Sequence, residues 1–242
     1  MNFGPFLSAA AAAMLLVAPV NGAEFRTNPK AVVELFTSQG CSSCPKADAM
    51  FSELGKRQDL ITLAYHVDYW DYIGWPDTFG DAANSERQRA YADSWGSSRI
   101  YTPQLVVNGR KGVVGSRDAE VAGAIKEASL QLPVSLNVGG QKLEVSVAAQ
   151  AGGGEATIWL ITFKDHAQVE IERGENAGKT VDYTQIVTGK QMLGMWDAAS
   201  GTSLKLPLAE LTADGSNGAV ILVQSDKNGL PGPILGAASV LL

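Results

Sequence analysis

Two cysteines, Cys41 and Cys44, stand three positions apart, and the chain of 242 residues has no others. The residues around them constrain the fold more than any other stretch. Ala31 to Phe36 (AVVELF) is a short apolar run that predicts a buried strand. A turn at Ser38-Gln39-Gly40 follows. From Pro45 to Arg57 the apolar residues Ala49, Met50 and Leu54 recur at helical spacing, and Pro45 suits a first helical turn, where a missing N–H costs nothing. A thiol at such a junction faces unpaired backbone N–H groups and the positive end of the helix dipole, which favour its thiolate. Cys41 is therefore expected as an exposed nucleophile and Cys44, further into the helix, as its resolving partner. The same spacing also fits a structural disulfide, half of a metal site or two unrelated buried thiols.

The first half alternates strand-like and helical runs, the pattern of an α/β domain. Leu60 to Val67 predicts a second strand, and Asp81 to Trp95 a polar helix with Glu86, Arg87 and Arg89 on its surface. Strands at Gln104 to Val107 and Gly112 to Gly115 flank Asn108-Gly109, a strong hairpin signal, and a helix is expected from Arg117 to Leu130. Near Leu132 the texture changes to short β-prone runs with glycine turns: Val134 to Val138, Leu143 to Ala148, Ala156 to Phe163, Val169 to Arg173, Val181 to Val187 and Ala219 to Gln224. Such spacing suggests a sandwich or small barrel. The expected division is thus a leader over 1–23, an α/β domain over 24–132 and a β-rich, sandwich-like domain over 133–242.

The leader reading rests on a stretch without charge from Met1 to Ala23 that contains the apolar run Phe6 to Val20, followed by small residues. It places the remaining chain in the periplasm or outside the cell, where a cysteine pair can persist as a disulfide. The alternative is an uncleaved anchor, the one case in which a membrane partner is expected. The net charge of -6, from 25 acidic and 19 basic residues with no long run of either sign, leaves no electrostatic footprint for nucleic acid.

Thr102-Pro103 lies directly before the expected strand at Gln104. The order strand, C-x-x-C, helix, strand, helix, Thr-Pro, hairpin, helix resembles the thioredoxin superfamily. The resemblance implies a cis-proline at Pro103 facing the cysteines, with Thr102 offering backbone hydrogen bonds to an extended substrate. It also implies a buried carboxylate on the strand before the cysteines, at Glu34, able to exchange a proton with the resolving thiol; the alternative for Glu34 is an exposed strand-end carboxylate. The segments VVELFTSQGCSSCPKAD, AYHVDYWDYIGW, IYTPQLVVNG and ERGENAGKT together look like an exported bacterial family known as a domain of unknown function. That likeness implies the architecture and brings no reaction with it.

Tyr65, Tyr69, Trp70, Tyr72, Trp75 and Phe79 form an aromatic-dense stretch suited either to core or lid packing or to docking an extended partner. The charged segment from Glu172 to Lys179 reads as a solvated turn. The expected activity is thiol–disulfide exchange on protein or small-molecule disulfides, with no cofactor and with a redox partner that recycles the thiols. A binding module with an inert disulfide, or a metal-delivery protein using the cysteines with His66 or His166, are the alternatives.

Overall fold

The computed structural model describes residues 22–242, so the expected leader falls outside the described residues except for Gly22 and Ala23. Strand β1 (Glu24–Arg26) leads to β2 (Ala31–Thr37), helix α1 (Cys44–Gly55) and β3 (Leu60–His66). Helix α2 (Ala82–Ser94), the hairpin of β4 (Gln104–Val107) and β5 (Lys111–Val114), and helix α3 (Asp118–Glu127) follow. The second half comprises β6 (Val134–Gly139), β7 (Lys142–Val147), β8 (Ala156–Ile171), β9 (Lys179–Met195), β10 (Thr202–Pro207), the short α4 (Leu208–Leu211), β11 (Gly218–Lys227) and β12 (Leu230–Leu241). The fold class is mixed α/β and rich in strands.

Nine strands form one mixed sheet in the order β1-β12-β11-β8-β9-β3-β2-β4-β5, and β10-β7-β6 form a second. The β-rich half was expected to close on itself beyond Leu132. Instead its strands β8, β9, β11 and β12 join the sheet of the first half, through a parallel pairing of β3 and β9 registered at Ala64 and Ile186. Only the small sheet stacks in sandwich fashion: Val134, Leu143, Val145 and Val147 pack with Ile158, Leu160, Ile221 and Val240 on the extension of the large sheet. The runs expected at 156–163 and 169–173 are one strand. Past Phe163, β8 leaves the core and continues with β9 as a ribbon whose exposed residues include Lys164 and His166, and this polar stretch disguises its continuity. Proline and glycine at 231–233 hid β12 in the same way.

Central strand β2 is buried on both faces, which is why it reads as a continuous apolar run. Side chains alternate: Ala31, Val33 and Leu35 pack with Ala47 and Phe51 of α1 and Val121 of α3, whereas Val32 and Phe36 pack with Tyr91 of α2. The Asn108-Gly109 turn occurs as expected, both residues having positive φ, 49° and 64°. A Cβ at Gly109 would stand 2.6 Å from the Gly232 carbonyl, so the turn also needs glycine for close approach.

Helix α2 corrects an expectation. Arg87 is not on the surface but 6% exposed. It reaches the carboxylate of Glu34 through Nε at 2.8 Å and Nη2 at 2.6 Å, and Tyr91 donates its hydroxyl to the other carboxylate oxygen at 2.5 Å. Gln224 on β11 accepts from Arg87 and donates to the Tyr91 oxygen. A polar helix is thus buried because β2 offers it an anion, and this network ties β2, α2 and β11 across the two halves. Replacing Glu34 by Gln leaves the guanidinium buried without its counter-ion; the expected loss is about 3–5 kcal/mol of unfolding free energy in denaturant titration.

Candidate functional site

Cys41 and Cys44 form a disulfide with Cα atoms 5.4 Å apart, at the junction where β2 ends and α1 begins. Ser43, at the N-cap, makes no side-chain capping bond, and its hydroxyl lies 3.4 Å from the Cys41 sulfur; in the first turn the Cys44 N–H donates to the Cys41 carbonyl and Pro45 has no N–H. The Thr102-Pro103 peptide is cis, and the Ser43 hydroxyl lies 3.5 Å from the Thr102 carbonyl. Cys41, Cys44, Thr102 and Pro103 are thereby brought together. Pro103 is itself buried and packs near Leu35 and Ala47 around Gly115.

Two expectations about this site are corrected. Cys41 is not an exposed thiol in the disulfide state: it is 1% accessible, and Cys44 is wholly buried. The cover comes from the turn between β8 and β9. Buried Asn176 donates from Nδ2 to the carbonyls of Gln39 at 2.8 Å and Cys41 at 2.9 Å, and Lys179 donates to the Asn176 side-chain oxygen. The segment read as a solvated turn is therefore the clasp on the cysteine turn. Its signal in the sequence is weak, since an asparagine in a charged glycine-containing loop is ordinarily solvated.

The second correction concerns Glu34. It is buried, but strand alternation sends it to the α2 face with Arg87, while α1 and its cysteine pack on the opposite face. The carboxylate on the cysteine face is Asp48. It stands four residues after Cys44 on the buried side of α1, and its Oδ1 accepts the Thr37 hydroxyl at 2.7 Å. Its Oδ2 has no hydrogen-bond partner, and desolvation pushes the carboxyl up to about 7, against the lowering effect of Thr37. Beside it lies buried His66, paired with Thr37 in register. His66 Nδ1 is 2.8 Å from Asp77 Oδ2, which also accepts from the Gln39 backbone N–H. Its Nε2 is buried and unpartnered. Asp48 was legible in principle, as an acidic residue at a core-facing position between Ala47 and Phe51.

The aromatic stretch serves mainly as a lid. Trp70 donates its indole N–H to the Thr102 hydroxyl at 2.7 Å, and Trp75 donates to the Gln39 side chain at 2.8 Å. Gly40 lets Trp70 approach, since a Cβ there would be 3.1 Å from that of Trp70. Tyr72 alone of the six stands free, at 82% exposure. Among the described residues no group of three or more His, Cys, Asp and Glu could hold a metal ion; His166 is exposed beside Asp182 on the ribbon. No helix among them is long and apolar enough to cross a membrane.

The raised Asp48 carboxyl gives a signed pH dependence. The folded chain holds a proton that the unfolded chain releases near the ordinary value of 3.8, so stability is full below that value and falls as pH rises toward about 7. An Asp48→Asn variant should show a flatter stability profile across this window, and be more stable than the parent above it, in thermal unfolding at stepped pH.

No curated protein matches this chain. The crystal structure of protein AGR_C_4864 from Agrobacterium tumefaciens is similar, at 34% identity, with 89% of this chain and 95% of that one covered and a TM-score of 0.79. HBP35 of Porphyromonas gingivalis is similar in fold alone, at 12% identity over 88% of this chain and 74% of that one, with a TM-score of 0.57. Residues 32–224 match a family described as a protein of unknown function, DUF1223, and the chain belongs to that family.

Proposed function

We propose that this protein is an exported thiol–disulfide exchange protein with a thioredoxin-like first half, in which Cys41–Cys44 is the redox pair and the Asn176 turn is its cover. One observation carries the reading: the disulfide begins a helix directly beside the cis Thr102-Pro103 peptide. A thiolate released at Cys41 would face the uncapped first turn of α1, which stabilises charge there. The Thr102 backbone, half-buried at the rim, is the edge on which an extended substrate would pair. Electrons are stored in the sulfurs, so no cofactor is needed; a protein or small-molecule disulfide is the substrate, and a separate redox partner restores the pair.

Burial of Cys41 favours a second reading, a binding module whose disulfide is inert. The two differ in a measurable way. Equilibration with dithiol buffers followed by thiol trapping is expected to give a potential above about -270 mV, and the reduced Cys41 a pKa below the usual thiol value of about 8.5. A potential below about -300 mV with an ordinary thiol pKa would instead establish the inert bridge.

The cover makes its own prediction. Asn176→Ala removes two donated bonds that hold the cysteine turn shut. Reduction by a small thiol should accelerate about tenfold, equivalent to about 1.4 kcal/mol less to open the turn, while unfolding stability falls by about 1–3 kcal/mol. An unchanged reduction rate in stopped-flow thiol assays would show that the turn does not gate the disulfide.

A further inference from the structure

We infer that the cleft between α2 and the β8–β9 end of the large sheet is a binding site for a small organic carboxylate, held between the Arg87 guanidinium and the Lys190 ammonium. The site does not depend on the exchange reading above: it lies on the α2 face of the sheet, whereas the cysteine helix α1 packs on the other. Two adjoining hollows of about 310 and 140 Å³ make up the cleft, and Arg87 and Lys190 line both.

Three donors at this cleft are left unused by the fold. The bonds of buried Arg87 to Glu34, Tyr91 and Gln224 engage only Nε and Nη2. Its Nη1 has no acceptor among the described residues, so a guanidinium fixed by four bonds keeps one free N–H edge, which matches a carboxylate oxygen. The guanidinium carbon lies 5.3 Å from the centroid of the Tyr65 ring, and the Tyr65 hydroxyl, buried in the lining of the wider hollow, has no hydrogen-bond partner. An unmade bond at a buried hydroxyl costs about 1–3 kcal/mol unless a ligand or water supplies it. Lys190 stands at the mouth on β9, its Nζ 3.5 Å from the centroid of the half-buried Trp159 ring. Desolvation and the Arg87 charge hold this ammonium down to about 8, as befits a cation without a counter-ion in contact. Phe79, Ile186 and Val187 in the wider hollow and Trp159 in the narrower one supply apolar surface for the body of a ligand.

The charges around the cleft set the class of ligand. Glu34 already balances Arg87, which leaves Lys190 as the inner cation without a counter-charge. Asp81, Asp214 and Asp226 also line the two hollows, and all three are exposed, so solvent and salt screen them. Asp81 and Asp226 each have an oxygen engaged by a backbone N–H, of Ala83 and of Gly229. One negative charge is therefore favoured between Arg87 and Lys190, and a second would meet three carboxylates at the rim. A monoanion with an apolar body fits; a dianion such as phosphate fits less well. The bound carboxylate stabilises the ammonium form of Lys190, so affinity is full where Lys190 is protonated with the cleft empty or filled, and falls as pH rises above about 8.

Calorimetric titration of the full chain with benzoate tests the site. A dissociation constant of about 1 mM or tighter is expected at pH 7. At pH 8, titrations in buffers of different ionisation enthalpy should show uptake of up to about half a proton per benzoate bound, and at pH 6 none. Lys190→Gln, at an exposed position that the core does not use, should weaken binding about tenfold and abolish the uptake. Lys190→Arg should keep the affinity within about threefold, also without uptake, because a guanidinium stays charged. Inorganic phosphate should bind about tenfold more weakly than benzoate. No saturable heat with benzoate up to about 10 mM would overturn the inference. So would parental affinity in Lys190→Gln, binding without proton uptake at pH 8, or phosphate bound as tightly as benzoate.

Discussion

A strand buried on both faces must send successive side chains to opposite sides, and in β2 that rule decides where the chemistry lies. Glu34 goes to the α2 side, where its charge is balanced by Arg87 and fixed by Tyr91. Thr37 goes to the α1 side, where it holds Asp48. One position of register therefore separates two buried carboxylates with different conditions: one is paired with a cation, the other is desolvated with an oxygen left open. The paired carboxylate serves cohesion, since it joins β2 to α2 and, through Gln224, to β11. The open one stands on the helix that begins with Cys44.

Cohesion between the halves and closure of the site are the same architectural fact. Because β9 adds to β3, the β8–β9 ribbon is anchored in the central sheet, and its far end can be aimed. Its turn lands on the carbonyls of Gln39 and Cys41, more than a hundred residues earlier in the chain. The aromatic loop grips the same turn through Trp75, Thr78 and Asp77 on Gln39, and Trp75 also lies against Gly174 of the ribbon tip. Opening the disulfide to solvent thus requires movement of a ribbon tip or of this loop, neither of which disturbs the nine-stranded core. That is the kind of local opening whose cost lies far below global unfolding.

Local signals served the first half well. The run AVVELF, the C-x-x-C, Pro45 and Asn108-Gly109 each state their backbone requirement within a few residues, and β2, α1 and the β4–β5 hairpin lie within a residue or two of where they are expected. Pairings distant in sequence left no such mark. That β9 adds to β3, that β8 runs on past its apolar portion, and that β12 tolerates prolines at its start depend on what lies alongside, not on the residues themselves. The site follows the same division. The cysteines and Thr102-Pro103 were legible from spacing; Arg87 was misplaced because a charged residue in a polar helix defaults to the surface, and its burial depends on an anion 53 residues away. Asn176 was misread for the same reason, since its partners are carbonyls in a turn it never approaches in sequence.

The condition of the pocket beneath the disulfide weighs on its meaning. An inert bridge needs only apolar packing around it, and the α1 face supplies that with Leu35, Ala47 and Phe51. Yet the same face carries a desolvated carboxylate oxygen and an imidazole nitrogen without partners, each of which costs on the order of 1–3 kcal/mol relative to a satisfied or apolar replacement. That cost falls one helical turn from the buried Cys44 sulfur of the disulfide. The physical tension in the site is thus between a cover that shuts out solvent and an ionisable group left without a partner beneath it.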